Sequence, residues 1–482
     1  MTDRKDIYGR LEDVLPPGFE DVRLDSPEFR DALLDILFGS SPLTAVTGPG
    51  GCGKTVLLKI AAAFFGGRCI CIAPTGIAAQ NISGKAGETT VVARTIHSAL
   101  GFDVLPDDSP DYPAERNPRS MEALAGKDIV LLDEVSMVRA NMLDAIMFQI
   151  MMASRIQGRQ IRLVCFGDPM QLPPVEKGKE EPKYFFDSEW WKHLGPRVHT
   201  LRAVYRQDDD TFKRMLNDLR AGRMTPDCMA FLKSKMVSTP PEGSLILNPY
   251  NKDTNKDGRK MTGARTANMD AVRRFSETHP GAEKRILDPV FESLGDLSAE
   301  TGKTGSDLKN EALGITDAPA RFGIIVGQRV MCTRNAPDGS YVNGSIGTVT
   351  GFEIPKTGDS AGECTGIKVR LDNPNRNGER DVLVGRHIYD RPATSDRSAV
   401  IVRQFPLVAA YEISYHKSQG MTLDKVCIRP HAWGPGMLYV GLSRVRTPEG
   451  LTVLGRPEES YLKTSERCLE FSLAAEDGKR VN

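Results

Sequence analysis

The most constraining stretch of this 482-residue chain is Gly48-Pro-Gly-Gly-Cys-Gly-Lys54-Thr55, which fits the spacing G-x-x-x-x-G-K-[ST]. Leu43 to Thr47 before it reads as a short apolar strand, and Val56 to Phe65 after it as a mostly buried helix. Glycines at a strand-to-helix turn let successive backbone N–H groups converge on phosphate oxygens, and the helix start adds its dipole. The turn therefore predicts a phosphate cradle, with Lys54 bridging the β- and γ-phosphates of a nucleotide and Thr55 holding Mg²⁺. Further strands are expected at Arg68 to Ala73, Ile129 to Leu132 and Arg162 to Phe166, spaced by helix-length segments. That alternation argues for an α/β fold with a parallel sheet.

Two later strands end in chemistry that a phosphate cradle needs. Ile129-Val-Leu-Leu132 runs into Asp133-Glu134, at the carboxyl end where a parallel sheet presents its ligands. Asp133 is the candidate partner of Mg²⁺, and Glu134 the candidate that orients or deprotonates attacking water. Arg162 to Phe166 leads into Gly167-Asp168-Pro169-Met170-Gln171, and the Gln171 amide can both donate to a phosphate oxygen and accept from water. Farther on, Tyr205-Arg206-Gln207 and Tyr439 to Arg444 each set an arginine beside apolar sequence. Phosphoryl transfer spreads negative charge in its transition state, which a guanidinium from a second domain can stabilise. Taken singly, each arginine also suits a surface ion pair. His416-Lys417-Ser418-Gln419-Gly420-Met421-Thr422 is a polar turn that either binds phosphate or caps a helix.

Composition sets the outer bounds. At about 150 residues per domain the length suggests roughly three domains. Sixty-three basic residues balance sixty-three acidic ones, so a polyanionic partner has to meet a local patch rather than the field of the whole molecule. With 40% hydrophobic and 26% charged residues, disorder as the main state is excluded. No apolar run reaches the eighteen or so residues of a spanning helix, and the nine cysteines include no CxxC pair. Reduced, buried thiols and a cytoplasmic location are expected. Asp103 to Ser120, with its four prolines, reads as a surface loop. Asn251 to Arg265 carries a local charge of about plus three and reads as a solvated loop or a nucleic-acid contact. From Val326 to Arg403, short segments broken by Asp338-Gly339, Asn343-Gly344 and Asn377-Gly378 predict an inserted antiparallel β unit.

In this order the motifs resemble those of the superfamily 1, subgroup B DNA helicases of the PIF type, with the related Dda- and RecD-type enzymes. The match runs through Gly48–Thr55 (motif I), Ala73–Ala79 (Ia), Thr95–Ser98 (Ib), Asp133–Met137 (II), Gly167–Val175 (III), Tyr205–Gln207 (IV), Tyr415–Leu423 (V) and Tyr439–Val445 (VI). The resemblance implies two tandem RecA-like P-loop domains with ATP between them, the first over 1–195 and the second over 196–335 and 401–482. It implies a small wedge in the first at about 80–94, turning at Gly84 to Gly87, and a small β-barrel in the second at 336–400. ATP and Mg²⁺ would be bound by Gly48, Gly50, Gly51, Cys52, Gly53, Lys54, Thr55, Asp133, Gln171, Arg206, Gly420 and Arg444. Catalysis would fall to Lys54, Glu134, Gln171, Arg206 and Arg444, the two arginines acting as fingers. Pro74, Thr75, Thr95, His97, Ser98, Asn343, His416, Lys417, Gln419 and Thr422 would touch DNA.

The expected partners are single-stranded DNA and its junctions with duplex, then replication or repair proteins; no membrane is expected, and the chain should act as a monomer. The sequence departs from the family at Ser26 to Arg30, which lacks the usual adenine-reading glutamine, and at Gly50 and Cys52 of the cradle. Cys52 is expected to be open to alkylation, with ATP protecting it. Either Asn251 or Asn268 could supply the asparagine of the family's Thr-Asn segment. The leading expectation is a 5′-to-3′ DNA helicase, against a DNA-stimulated translocase that does not unwind and a one-domain nucleotide switch.

Overall fold

The computed structural model describes residues 11–102, 115–174, 181–207, 209–256, 259–295, 305–316, 318–357, 362–375, 377–391 and 399–478. Most of the loop expected from Asp103 to Ser120, and Val175 of motif III, lie outside them. The chain forms two compact units, Met1–Pro249 with Ser414–Asn482, and Tyr250–Ile413.

The first unit holds two parallel sheets. In the first sheet the strands are β1 (Leu43–Thr47), β2 (Cys69–Ala73), β3 (Ala93–Thr95), β4 (Ile129–Leu132), β5 (Arg162–Gly167) and β6 (Arg197–Thr200), and helix α1 (Lys54–Phe65) follows β1. Their order is β3-β2-β4-β5-β1-β6, every neighbour parallel. Successive side chains of a strand alternate between faces. Leu43, Ala45, Val130, Leu132, Leu163 and Cys165 accordingly enter one core, while Val46, Ile129, Leu131, Val164 and Phe166 enter the other. Both faces are covered, which is why these strands read as unbroken apolar runs.

The second sheet of this unit is smaller. After α2 (Asp210–Arg220) come β7 (Met236–Val237), β8 (Leu245–Asn248), β9 (Val426–Ile428), α3 (Met437–Leu442) and β10 (Leu451–Leu454), with parallel strands in the order β8-β9-β10-β7.

Several sequence expectations shift. The first sheet extends to Thr200, past the expected boundary at 195. The helix Glu466–Glu476, expected in the second lobe, packs on the first: Phe471 stacks on Phe186 at 4.7 Å and edges onto Phe185, in the core that also holds Trp191. The span expected for a wedge, 80–94, holds a shorter hairpin. Gly84–Ala86 and Thr89–Val91 pair as an antiparallel hairpin turning at Gly87-Glu88 rather than at Gly84 to Gly87. Gln80 to Ile82 stay in the helix Gly76–Ile82, and Ala93 to Thr95 join the parallel sheet.

In the second unit the basic stretch around Asn251 to Arg265 forms a hairpin, Thr254–Lys256 with Arg259–Met261, followed by the helix Ala264–Thr278. Asn268 on that helix accepts from the Tyr411 and Glu412 amides, each at 2.8 Å, and returns a bond to the Glu412 carbonyl. The antiparallel sheet of this unit orders Asp381–Gly385, Gly366–Leu371, Ile346–Glu353, Arg329–Cys332 and Leu407–Ala409. It is wider than the expected 336–400 because the two flanking strands pair with each other, Val330 opposite Ala409 and Cys332 opposite Leu407.

Candidate active site

The turn between β1 and α1 has the conformation its glycines anticipate. Gly51 lies at φ +83°, and a Cβ there would overlap the Cβ of Arg206. Glycine is thus required twice over, by backbone angle and by the close approach of a residue from beyond β6. The Tyr205 amide donates to the Gly51 carbonyl at 2.9 Å and fixes that approach. Lys54 folds its ammonium over the turn, donating to the carbonyls of Gly48 at 2.6 Å and Pro49 at 2.9 Å. Cys52 is 1% exposed with Sγ 3.6 Å from the Lys54 ammonium, so its expected openness to alkylation does not hold for this conformation.

At the carboxyl end of β4, Asp133 is buried and accepts from the Glu134 amide at 2.9 Å. Burial, then the Glu134 charge, pushes its carboxyl up to about 7, against the pull of that amide and of Lys54. A buried carboxylate that feels the Lys54 charge, and the half-buried hydroxyl of Thr55 next to Lys54 in the chain, are oxygen donors of the kind a hard divalent cation takes. Glu134 is the one non-glycine residue with positive φ (52°) among the described residues. Such a backbone costs about 1–3 kcal/mol and persists only where surroundings over-determine it. Here the Gln419 amide donates to the Glu134 carboxylate at 3.2 Å and also reaches the Ser136 hydroxyl at 3.2 Å.

Gln419 belongs to the polar turn ahead of the second sheet's β9, so elements flanking both sheets converge here. Asn81 donates to the Gly420 carbonyl at 2.6 Å, and a Cβ on Gly420 would come 3.7 Å from the Glu134 carboxylate. Burial lowers the basicity of Arg206, while Tyr439 and Glu134 oppose the shift. Arg444 is fully buried and donates to the carbonyls of Val440 (2.7 Å), Met421 (3.3 Å) and Ser418, and to the Ser443 hydroxyl (2.9 Å). Burial and then the neighbouring Arg206 charge bring it down to about 10, with Glu134 pulling the other way. Lys54, Asp133, Glu134, Arg206, Gln419 and Arg444 are therefore brought into one electrostatic neighbourhood. Gln171 is buried in the turn after Asp168, and its Oε1, like Gln419 Oε1, has no hydrogen-bond partner among the described residues.

A family model described as an AAA domain matches residues 26–238. The ATP-dependent DNA helicase Pif1 of Bdellovibrio bacteriovorus is 28% identical, aligned over 89% of this chain and 88% of that protein. Human ATP-dependent DNA helicase PIF1 is 29% identical over 90% of this chain and 62% of its own length. Among solved structures, the Pif1 helicase of Candida albicans superposes with a TM-score of 0.72 at 27% identity, covering 95% of this chain and 100% of that one. Bacteroides Pif1 bound to single-stranded DNA gives 0.69 at 26%, covering 94% and 98%. The chain is thus similar to PIF1-type helicases over most of its length. Its two parallel sheets are the cores of two tandem RecA-like domains. The chain spans 45% of a Trypanosoma brucei PIF7 relative and 62% of the human protein.

On this framework the residues expected to touch DNA divide. Ala73 pairs with Thr95 across β2 and β3, which sets Pro74 and Thr75 beside Thr95, His97 and Ser98 at one carboxyl edge. Thr75 and Thr95 also cap the helices Gly76–Ile82 and Ile96–Leu100, accepting from Ala78 (3.2 Å) and Ser98 (3.3 Å) amides. Lys417 is exposed, Thr422 half-buried, and His416 stacks on the half-exposed Trp433 with ring centroids 5.8 Å apart. Asn343 is exposed in the second unit. Gln419 is 3% exposed and turned onto Glu134, so it faces the carboxylates rather than an open surface. Sequence reasoning missed Asn81, Ser136, Asp168, Arg220 and Tyr439. Asp168 and Tyr439 lie inside recognised motifs and could have been nominated, but nothing local marks Arg220.

Proposed function

We propose that the chain is an ATP-dependent DNA helicase that translocates 5′ to 3′ on single-stranded DNA and unwinds the duplex ahead. The observation that carries this reading is the joint placement of Arg206, Arg444 and Gln419 against the phosphate turn and Glu134. The two unpartnered amide oxygens, the crowded Asp133 and the glycine turn suit a nucleotide triphosphate with its cation. Lys54 exchanges its carbonyl partners for phosphate oxygens. Thr55 and Asp133 would hold Mg²⁺, whose charge offsets that of the phosphates. Glu134, directed by Gln419, takes the proton of the attacking water, and Gln171 orients that water at the γ-phosphate. Arg206 and Arg444 meet the charge that spreads over the transferring group.

Binding ATP ties the lobes through Lys54 on one side and guanidinium groups on the other, and hydrolysis releases the tie. Alternating grip then moves the strand past Pro74, Thr75, Thr95, His97 and Ser98 on one lobe and His416, Lys417 and Thr422 on the other; Asn343 is a separate candidate DNA contact of the second unit. The hairpin from Gly84 to Val91 serves as the wedge, and the antiparallel sheet from Arg329 to Ala409 as the inserted β domain. Separating one base-pair step costs about 1.4 kcal/mol. The test is ATP turnover with and without single-stranded DNA, then displacement of strands from 5′- and 3′-tailed duplexes. Stimulated turnover with displacement only from the 5′ tail is expected. Stimulation without displacement would reduce the reading to a translocase, and turnover indifferent to DNA would overturn it.

A further inference from the structure

Tyr439 on α3 connects the phosphate turn to a buried ion pair that the catalytic scheme above does not use. Its hydroxyl accepts from the Gly50 amide at 3.0 Å and donates to Asp168 Oδ2 at 3.3 Å. Asp168 has no exposed surface and is gripped by Arg220 through Nε, 3.1 Å from each carboxylate oxygen, and Nη2, 2.9 Å from Oδ1. The same Oδ1 accepts from the Met170 amide at 3.1 Å, and the Asp168 carbonyl from the Gln171 amide at 3.0 Å. Arg220 is the last residue of α2, Asp168 follows β5, and Tyr439 stands five positions before Arg444. One chain of bonds thus runs from the cradle, through Tyr439 on the helix that leads to Arg444, to Asp168 and the Gln171 turn.

Its polarity matters. A bidentate, buried guanidinium holds the carboxylate as an acceptor, so the phenol must point its proton at Asp168 and its lone pair at Gly50. The Gly50 amide lies in the turn whose N–H groups a phosphate-binding loop offers to its ligand. A phosphate seated in the turn would compete with the phenol for that N–H group.

Building on the helicase reading, we propose that Tyr439 is a positioning residue that senses occupancy of the cradle. Its hydroxyl holds the Gly50 amide until a nucleotide phosphate claims that donor, and reclaims it as product leaves, while Asp168 and Arg220 keep the hydroxyl aimed. Arriving nucleotide forfeits this bond, and departing nucleotide regains it.

The test is Tyr439→Phe in the full chain, with a fluorescent ADP analogue for affinity and steady-state ATP turnover on single-stranded DNA. Removing the competitor should tighten ADP binding about three- to tenfold, the factor that a net hydrogen bond of ordinary strength is worth. The apparent KM for ATP and kcat should both fall, as product leaves more slowly. A purely structural tyrosine would instead weaken ADP binding along with thermal stability. Unchanged or weaker ADP binding in a folded Tyr439→Phe protein overturns the proposal. Should that variant fail to fold, Arg220→Lys keeps the charge and loses the fork: ADP binding about twofold tighter supports the sensor, and wild-type affinity overturns it. Failure of the helicase reading is separate, since it appears in the unmodified protein as turnover indifferent to DNA.

Discussion

The two RecA-like lobes of the first unit share an architecture of parallel strands, yet they contribute to the candidate site through different chemistry. The first lobe offers chiefly backbone: a glycine turn, backed by one ammonium and by the two carboxylates at the end of β4. The second offers side chains, chiefly Arg206 beyond β6, Arg444 after α3, and the Gln419 amide. Backbone donors are fixed once the turn is folded, whereas guanidinium groups move with the lobe that bears them. In the proposed function, nucleotide binding accordingly falls to the first lobe, and sensitivity to lobe closure to the second.

The difference can be broken deliberately. Lys54→Ala removes the first lobe's cationic grip, and ATP turnover should drop below detection in a coupled phosphate-release assay; measurable turnover would move phosphate binding elsewhere. Glu134→Gln should keep nucleotide and DNA affinity while lowering kcat by about 10²–10⁴, the usual range for a lost proton acceptor, as single-turnover hydrolysis would show. Gly51→Ala forces a side chain into the left-handed region and against Arg206. We expect lower thermal stability, by roughly 1–3 kcal/mol, together with weaker ATP binding, because the overlap lies where the two lobes meet.

A gentler contrast comes from Gln419→Ala. The amide acts on Glu134, so kcat should fall about tenfold while affinity for single-stranded DNA, measured by fluorescence anisotropy, stays within about twofold. These sizes follow from losing one hydrogen bond to a charged group. A large loss of DNA affinity with unchanged kcat would restore Gln419 to the DNA surface.

How far the sequence carried this picture follows the same divide. β1, β4 and β5, the cradle and the acidic pair were legible because a doubly covered parallel strand is an unbroken apolar run and its end carries the ligands. β3 and β6 were not: each has only three or four residues, too few for a period to emerge, and lies at a sheet edge. The hairpin's turn at Gly87-Glu88 was misplaced because two glycines, Gly84 and Gly87, stand equally well in a short polar segment. Helix Glu466–Glu476 was assigned to the wrong lobe because chain order says nothing about which aromatic cluster Phe471 joins. Arg206 and Arg444 gained meaning only from the ordered set of motifs, since a single arginine suits a surface ion pair as well. Gln419 and the Asp168–Arg220–Tyr439 chain depend on contacts between segments more than 50 residues apart in sequence, which no local pattern encodes.

The central claim is that one triphosphate is gripped by the backbone cradle of one lobe and the guanidinium groups of the other. It is tested most directly by Arg444→Ala, measuring kcat on saturating single-stranded DNA beside the dissociation constant for a non-hydrolysable ATP analogue. The account predicts a fall in kcat of about a thousandfold or more, the scale of a missing arginine finger, with analogue affinity changed only a few-fold. Wild-type kcat in a folded Arg444→Ala protein would contradict it.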